Sequence, residues 1–112
     1  LQVDLDARGC ARTGGAGLGT FSKSPPAGRM ILGVRPEDVD LADDGPLSAA
    51  VEVVETLGNE KIVYMDADGE ELVARVAPDL PVKPGESVRA SLRLPRCHLF
   101  SPESGRRVGV AG

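Results

Sequence analysis

The sequence predicts an all-β fold, a small barrel or sandwich of about five to seven short strands with little helix. Three observations carry this. Apolar and polar residues alternate with a period of two, most cleanly from Ser87 to Leu94 (SVRASLRL). There Val88, Ala90, Leu92 and Leu94 face one way and Arg89, Ser91 and Arg93 the other, as in a sheet with one buried and one wet face. Dipeptides that favour tight turns, Gly58-Asn59 and Asp68-Gly69, separate Val-rich runs of strand length. And no window of about twelve residues holds a helical period.

The elements follow in order. Leu1 to Leu5 alternates and reads as a strand. Residues 9–28 (GCARTGGAGLGTFSKSPPAG) are rich in Gly, Ser and Pro, and are expected to form a flexible loop. Arg29 to Val34 is a short apolar run, ended by Arg35-Pro36. Pro36 lacks an N–H and pushes Arg35 toward an extended conformation, so the strand should stop there. One helical turn is expected from Pro36 to Val39, with Glu37 and Asp38 in its first turn, where acids are favoured. Arg35 is expected to pair with Glu37 or with an acid elsewhere. Leu47–Leu57 (LSAAVEVVETL), Lys61–Met65 (KIVYM) and Glu71–Val76 (ELVARV) should then form a three-stranded meander, both turns using residues suited to positive φ. Pro78, Pro81, Pro84 and Gly85 open a loop before the last clear strand, Ser87–Leu94.

The chain has 112 residues, the size of one small domain, and 27% of them are charged, as in a soluble globular protein. No apolar run approaches the roughly 20 residues that span a bilayer, and LQVDLDARG does not read as a signal peptide. The chain opens on Leu rather than Met, which fits a piece of a longer protein. The net charge of −4 is unevenly spread: Glu37 to Asp79 is acidic, with only Lys61 and Arg75 as cations, whereas Arg89, Arg93, Arg96, Arg106 and Arg107 make the tail basic. Such blocks can attract each other within a chain or between chains, although most such charges are simply solvated. Two cysteines, Cys10 and Cys97, are too few for a disulfide framework and read as reduced thiols of a cytosolic protein.

Reactive constellations fail one by one. Gly14-Gly15 is followed by Ala16, and Gly19 by Thr20-Phe21, so no Lys-Ser or Lys-Thr completes a phosphate loop. Gly15 and Gly17 lack the third glycine of a dinucleotide fingerprint, because position 20 is Thr20. Cys97-His98 offers neither the ligand number nor the spacing of a zinc site. Neighbours on a strand point to opposite faces, so these two are no nucleophile–base pair either. Glu52 and Glu55 fall on opposite faces of an extended strand and cannot act as a carboxylate pair unless a bulge reorients one. Phe21, Tyr64 and Phe100 are the aromatics, too few for a single-strand-binding platform in an acidic chain, and no nucleic acid is expected as partner. No catalytic, cofactor-binding or metal-ligating residue is therefore assigned.

The order of segments says more than any single site. RMILGVRPEDVDL is followed by VEVVETLGNEKIVYMDADGEELVARV and then by VKPGESVRASLRLPRCHLFSPESGRRV. Within them stand Gly33, Arg35, Pro36 and Glu37 of GVRPE, then Glu55 and Gly58 of E-x-LG. Pro84-Gly85-Glu86 and His98-Leu99-Phe100 follow, with Ser104-Gly105 shortly after. Over residues 29–108 this set resembles the C-terminal regulatory region, the transport-associated OB (TOBE) domain, of the ATPase subunit of maltose- and glycerol-3-phosphate-class ABC importers. The resemblance implies one OB-fold-like (TOBE/MOP-like) β-barrel domain spanning 1–112. It implies a homodimer, a parent chain that works with membrane permease subunits at the cytoplasmic face of the membrane, and in some relatives a regulatory protein or ligand. ATP and Mg²⁺ would be held by a nucleotide-binding domain upstream, with no cofactor in this segment. An alternative is a small-anion or small-ligand module using Arg93, Arg96, Arg106 and Arg107 as interface or anion contacts. A single-stranded nucleic-acid-binding OB fold and an independent enzyme are weaker alternatives.

Overall fold

The computed structural model describes residues 1–6, 10–13, 16–21, 27–103, 105 and 107–108, the last two by their backbone. Among the described residues eleven strands fall in two sheets. They are β1 (Gln2–Leu5), β2 (Cys10–Thr13), β3 (Ala16–Thr20), β4 (Gly28–Gly33), β5 (Val39–Leu41) and β6 (Leu47–Leu57). β7 (Glu60–Ala67), β8 (Glu70–Val76), β9 (Ser87–Leu92), β10 (His98–Phe100) and β11 (Arg107–Val108) complete them. The only helical segments among the described residues are two short 3₁₀ turns, Pro36–Asp38 and Leu94–Arg96. The fold is thus all-β, as expected.

The chain divides into two compact units, one of Leu1–Val34 with Leu92–Gly112 and one of Arg35–Ser91. The strand number exceeds the expected five to seven because the stretch read as a loop, 9–28, contributes β2 and β3 and the first residue of β4, and because the two- and three-residue strands β5, β10 and β11 are too short to show a period. β2 and β3 pair as a hairpin, Cys10 opposite Thr20 and Thr13 opposite Ala16, with an irregularity between Ala11 and Arg12. Gly17 and Gly19 weaken strand propensity but still supply ladder hydrogen bonds, and Ala11, Leu18 and Phe21 are buried. The rest of that stretch lies outside the described residues.

The first unit is a six-stranded sheet in the order β11-β10-β4-β1-β2-β3, and its neighbours pair antiparallel. Val3 and Leu5 alternate inward, as the sequence pattern requires, and join Met30, Leu32 and Leu99. Leu94 and Cys97 are buried too, and the Cys97 thiol donates to the Arg93 carbonyl at 3.3 Å. Both cysteines are free, Cys10 half-exposed with its sulfur 3.2 Å from Thr20 Oγ1.

The second unit is a five-stranded sheet in the order β5-β9-β6-β7-β8. β5 and β8, its two ends, approach each other, so the sheet curls almost closed as a small barrel. The meander β6-β7-β8 is antiparallel throughout. Asp68 (φ 53°) and Gly69 (φ 86°) close its second turn with the positive φ expected of them. Gly58 and Asn59 close the first turn without positive φ, which corrects that part of the reading. Val63, Met65 and Ala74 are fully buried, each large side chain contributing about 1.5–3 kcal/mol by leaving water.

Candidate functional site

In the first unit the strand register brings together Gly33, His98 and Phe100. His98 pairs with Gly33, and Phe100 with Ile31. A Cβ on Gly33 would stand 2.8 Å from Phe100 Cε2, so glycine leaves room for the ring. His98 and Phe100 are half-buried in a short strand that has β4 on one side and β11 on the other. These residues lock a sheet position and hold no reactive geometry.

In the second unit Arg35 is extended (φ −82°, ψ 147°), and Pro36 starts the first 3₁₀ turn. Asp38 N–H donates to Arg35 O at 2.9 Å, and Val39 N–H to Pro36 O. Arg35 and Glu37 are exposed, whereas Asp38 is buried at 2% exposure. The expected ion pair of Arg35 does not form with any described residue. The cause is local: the 3₁₀ turn points both Arg35 and Glu37 to solvent, where an ion pair gains little over hydration.

Gly85 takes φ 89° and donates its N–H to Val51 O at 2.8 Å, while Val51 N–H donates to Glu86 O at 2.8 Å. The Pro84-Gly85-Glu86 turn therefore ties both backbone groups of Val51 just past the last residue that β9 pairs, Ala50. One residue later β6 bulges: Val51 stands opposite Met65 and Val53 opposite Tyr64, leaving Glu52 as the extra residue. The sequence had named a bulge only as a condition for reorienting Glu52 or Glu55. The carboxylate of Glu55 instead accepts from Tyr64 Oη at 2.5 Å. That bond, and the nearby charges of Glu55 and Glu71, raise the Tyr64 pKa above its usual value of 10.0. Gly58 lies in an open turn, with space around a would-be Cβ.

Two of the four arginines considered as anion contacts have described side chains. Arg93 and Arg96 are exposed at the two ends of the Leu94–Arg96 turn. Arg106 lies outside the described residues, and Arg107 is described only through its backbone pairing with Phe100. A cleft of about 380 Å³ in the second unit escaped the sequence reading. It is lined by Leu41, Ala42, Asp43, Leu80, Pro81, Val82, Glu86, Ser87, Val88 and Arg89. Its one cation, Arg89, is engaged: Nε donates to Gly45 O at 2.6 Å and Nη2 to Pro46 O at 3.4 Å. With Asp43 and Glu86 beside it, the cleft does not favour an anion. No three His, Cys, Asp or Glu side chains among the described residues cluster as metal ligands would. No described helix is long and apolar enough to cross a membrane.

Comparison with known proteins gives a consistent match. Residues 32–100 match the model of the TOBE domain family. The chain is 39% identical over 84 residues to sn-glycerol-3-phosphate import ATP-binding protein UgpC 2 of Agrobacterium fabrum, covering 74% of this chain and 22% of that protein. It is 31% identical over 110 residues to sn-glycerol-3-phosphate import ATP-binding protein UgpC of a Ruegeria species, covering 96% and 31%. An uncharacterized ABC transporter ATP-binding protein, y4oS of Sinorhizobium fredii, is 38% identical over 79 residues, covering 70% and 21%. The chain spans about a fifth to a third of the length of these relatives.

Proposed function

The chain belongs to the TOBE domain family, and from that premise we propose that it is the regulatory and dimerising domain of the ATP-binding subunit of an ABC importer for sugars or related solutes. The observation that carries this reading is the match over residues 32–100, and the similarity to relatives named as glycerol-3-phosphate import ATP-binding proteins stands beside it. It is supported by where the motif residues sit. Gly33, Pro36, Gly85 and Phe100 each serve a turning point or a close approach of the backbone, as residues that define a module do.

On this reading the segment performs no catalysis. ATP and Mg²⁺ belong to a nucleotide-binding domain upstream. The segment pairs with a second copy of itself, and its parent chain works with permease subunits at the cytoplasmic face of the membrane. The importer's solute resembles a sugar or glycerol phosphate. A regulatory protein or ligand acts through this segment.

The dimer is tested by size-exclusion chromatography with light scattering on this chain over a range of concentrations. The expected result is a mass rising to twice that of the monomer. A strictly monomeric mass at the highest concentration overturns the dimerising role.

A further inference from the structure

The second half of β6, with β7 and β8, presents an apolar outer face. Residues directly opposite across a sheet share a face. Val53 stands opposite Tyr64, and Tyr64 opposite Val73, while Glu55 stands opposite Ile62. Val53 and Leu57, 51% and 43% exposed, are the two large exposed hydrophobics among the described residues, and both lie on this face. Ile62, Tyr64 and Val73 are half-buried beside them. The other face of the same strands carries Val63, Met65, Leu72 and Ala74, all buried. The sheet therefore has two apolar faces and uses only one as its core. An apolar patch with a polar rim marks an interaction surface.

The rim says what would cover it. Glu55, Glu60, Asp66 and Glu71 lie on the same face as these apolar residues, against one cation, Arg75, which Glu60 already holds at 3.1 Å. Asp66 stands directly opposite Glu71, a like-charge cross-strand pair that costs the isolated sheet stability. A cation brought from outside would turn that cost into attraction. Two copies of the face laid together would set acid against acid. Phosphate backbones and anionic lipid surfaces carry the same sign and are repelled.

We propose that this outer face docks a protein segment in which apolar side chains alternate with Lys or Arg. The apolar residues cover Val53, Leu57 and Ile62, and the cations reach Asp66, Glu71 and Glu55. The inference is independent of the dimerising role, because the face that it uses is barred by its charge from pairing with itself.

The test uses the whole chain and two short synthetic peptides, one alternating valine with lysine and one alternating valine with glutamate. Binding is followed by amide chemical shifts. The lysine peptide should shift residues of β6, β7 and β8 around Val53, Tyr64 and Val73, and should bind more weakly as salt rises. The glutamate peptide should not bind. A V53S/L57S variant, at sites too exposed to matter for folding, should bind about tenfold more weakly. Glu71→Lys should also weaken binding while leaving the cooperative unfolding transition in place. Shifts centred elsewhere, equal binding of both peptides, or unchanged affinity in V53S/L57S overturns the proposal. So does concentration-dependent self-association that V53S/L57S abolishes, since a second copy would then be the occupant.

Discussion

The two halves of β6 read alike and end differently. Leu47, Ala49 and Val51 in the first half, and Val53 and Leu57 in the second, all fall on odd positions, and a regular strand would bury them together. The first three are buried at 4%, 3% and 2% exposure, while Val53 and Leu57 face water. One extra residue, Glu52, separates the halves and shifts the phase of the alternation by one. In the first half β9 and the Gly85 turn hold β6 in place. In the second half, among the described residues, β6 pairs only with β7. Identical side-chain chemistry thus serves a core in one half and a surface in the other, and backbone register alone makes the difference.

The contrast can be broken most strongly on the buried side. Met65 stands opposite Val51 and is wholly buried, so Met65→Ala should lower unfolding stability by about 2–5 kcal/mol in urea titrations. Tyr64 is the next residue on β7 but faces outward, and a loss for Tyr64→Ala as large as that for Met65→Ala would erase the distinction between the faces. Gly85→Ala should cost about 1–2 kcal/mol, because an L residue is strained at φ 89° and the turn anchors Val51 beside the bulge. An unchanged midpoint would show that the anchor does not set the register. Val53→Ser should change stability by no more than about 0.5 kcal/mol, as at other exposed sites. A larger loss would mean that Val53 packs into the core in solution.

The finest test is spectroscopic. Tyr64 is the chain's one tyrosine, so its ultraviolet titration is free of overlap. Its midpoint should lie above 10.0, and Glu55→Gln should bring it down. Because the folded pKa is the raised one, the folded state favours the neutral phenol. The stabilising contribution is present below pH 10 and is lost as pH rises through the folded-state pKa. A midpoint at the ordinary value would remove the hydrogen bond to Glu55 from the description of this face.

Much of the fold was legible because its signals are local. Leu47–Leu57 was bounded correctly, since Val-rich alternation fills it and Gly58-Asn59 ends it. Pro36 placed the end of the apolar strand and the helical turn after it, because a missing N–H and a fixed φ act on immediate neighbours. β2 and β3 were missed because Gly17 and Gly19 carry no pattern, while the ladder they join is built from backbone groups that every residue owns. The candidate site was less legible. Short motifs such as GVRPE are readable because their residues are neighbours, whereas no sequence spacing encodes whether Arg93, Arg96, Arg106 and Arg107 converge on a ligand. The cleft around Arg89 draws on three separated segments, and nothing local announces it.

By itself, then, the sequence determined the all-β class, the meander with its Asp68-Gly69 turn, the corner at Pro36 and the family, because each rests on neighbours or on ordered short motifs. Only the tertiary structure decided the division into two units, the strands within 9–28, and the bulge at Glu52 that turns Val53 and Leu57 to the surface. A bulge adds no distinctive residue. It is fixed by which distant backbone groups pair, here Gly85 and Glu86 with Val51, and that pairing exists only once the chain has closed on itself.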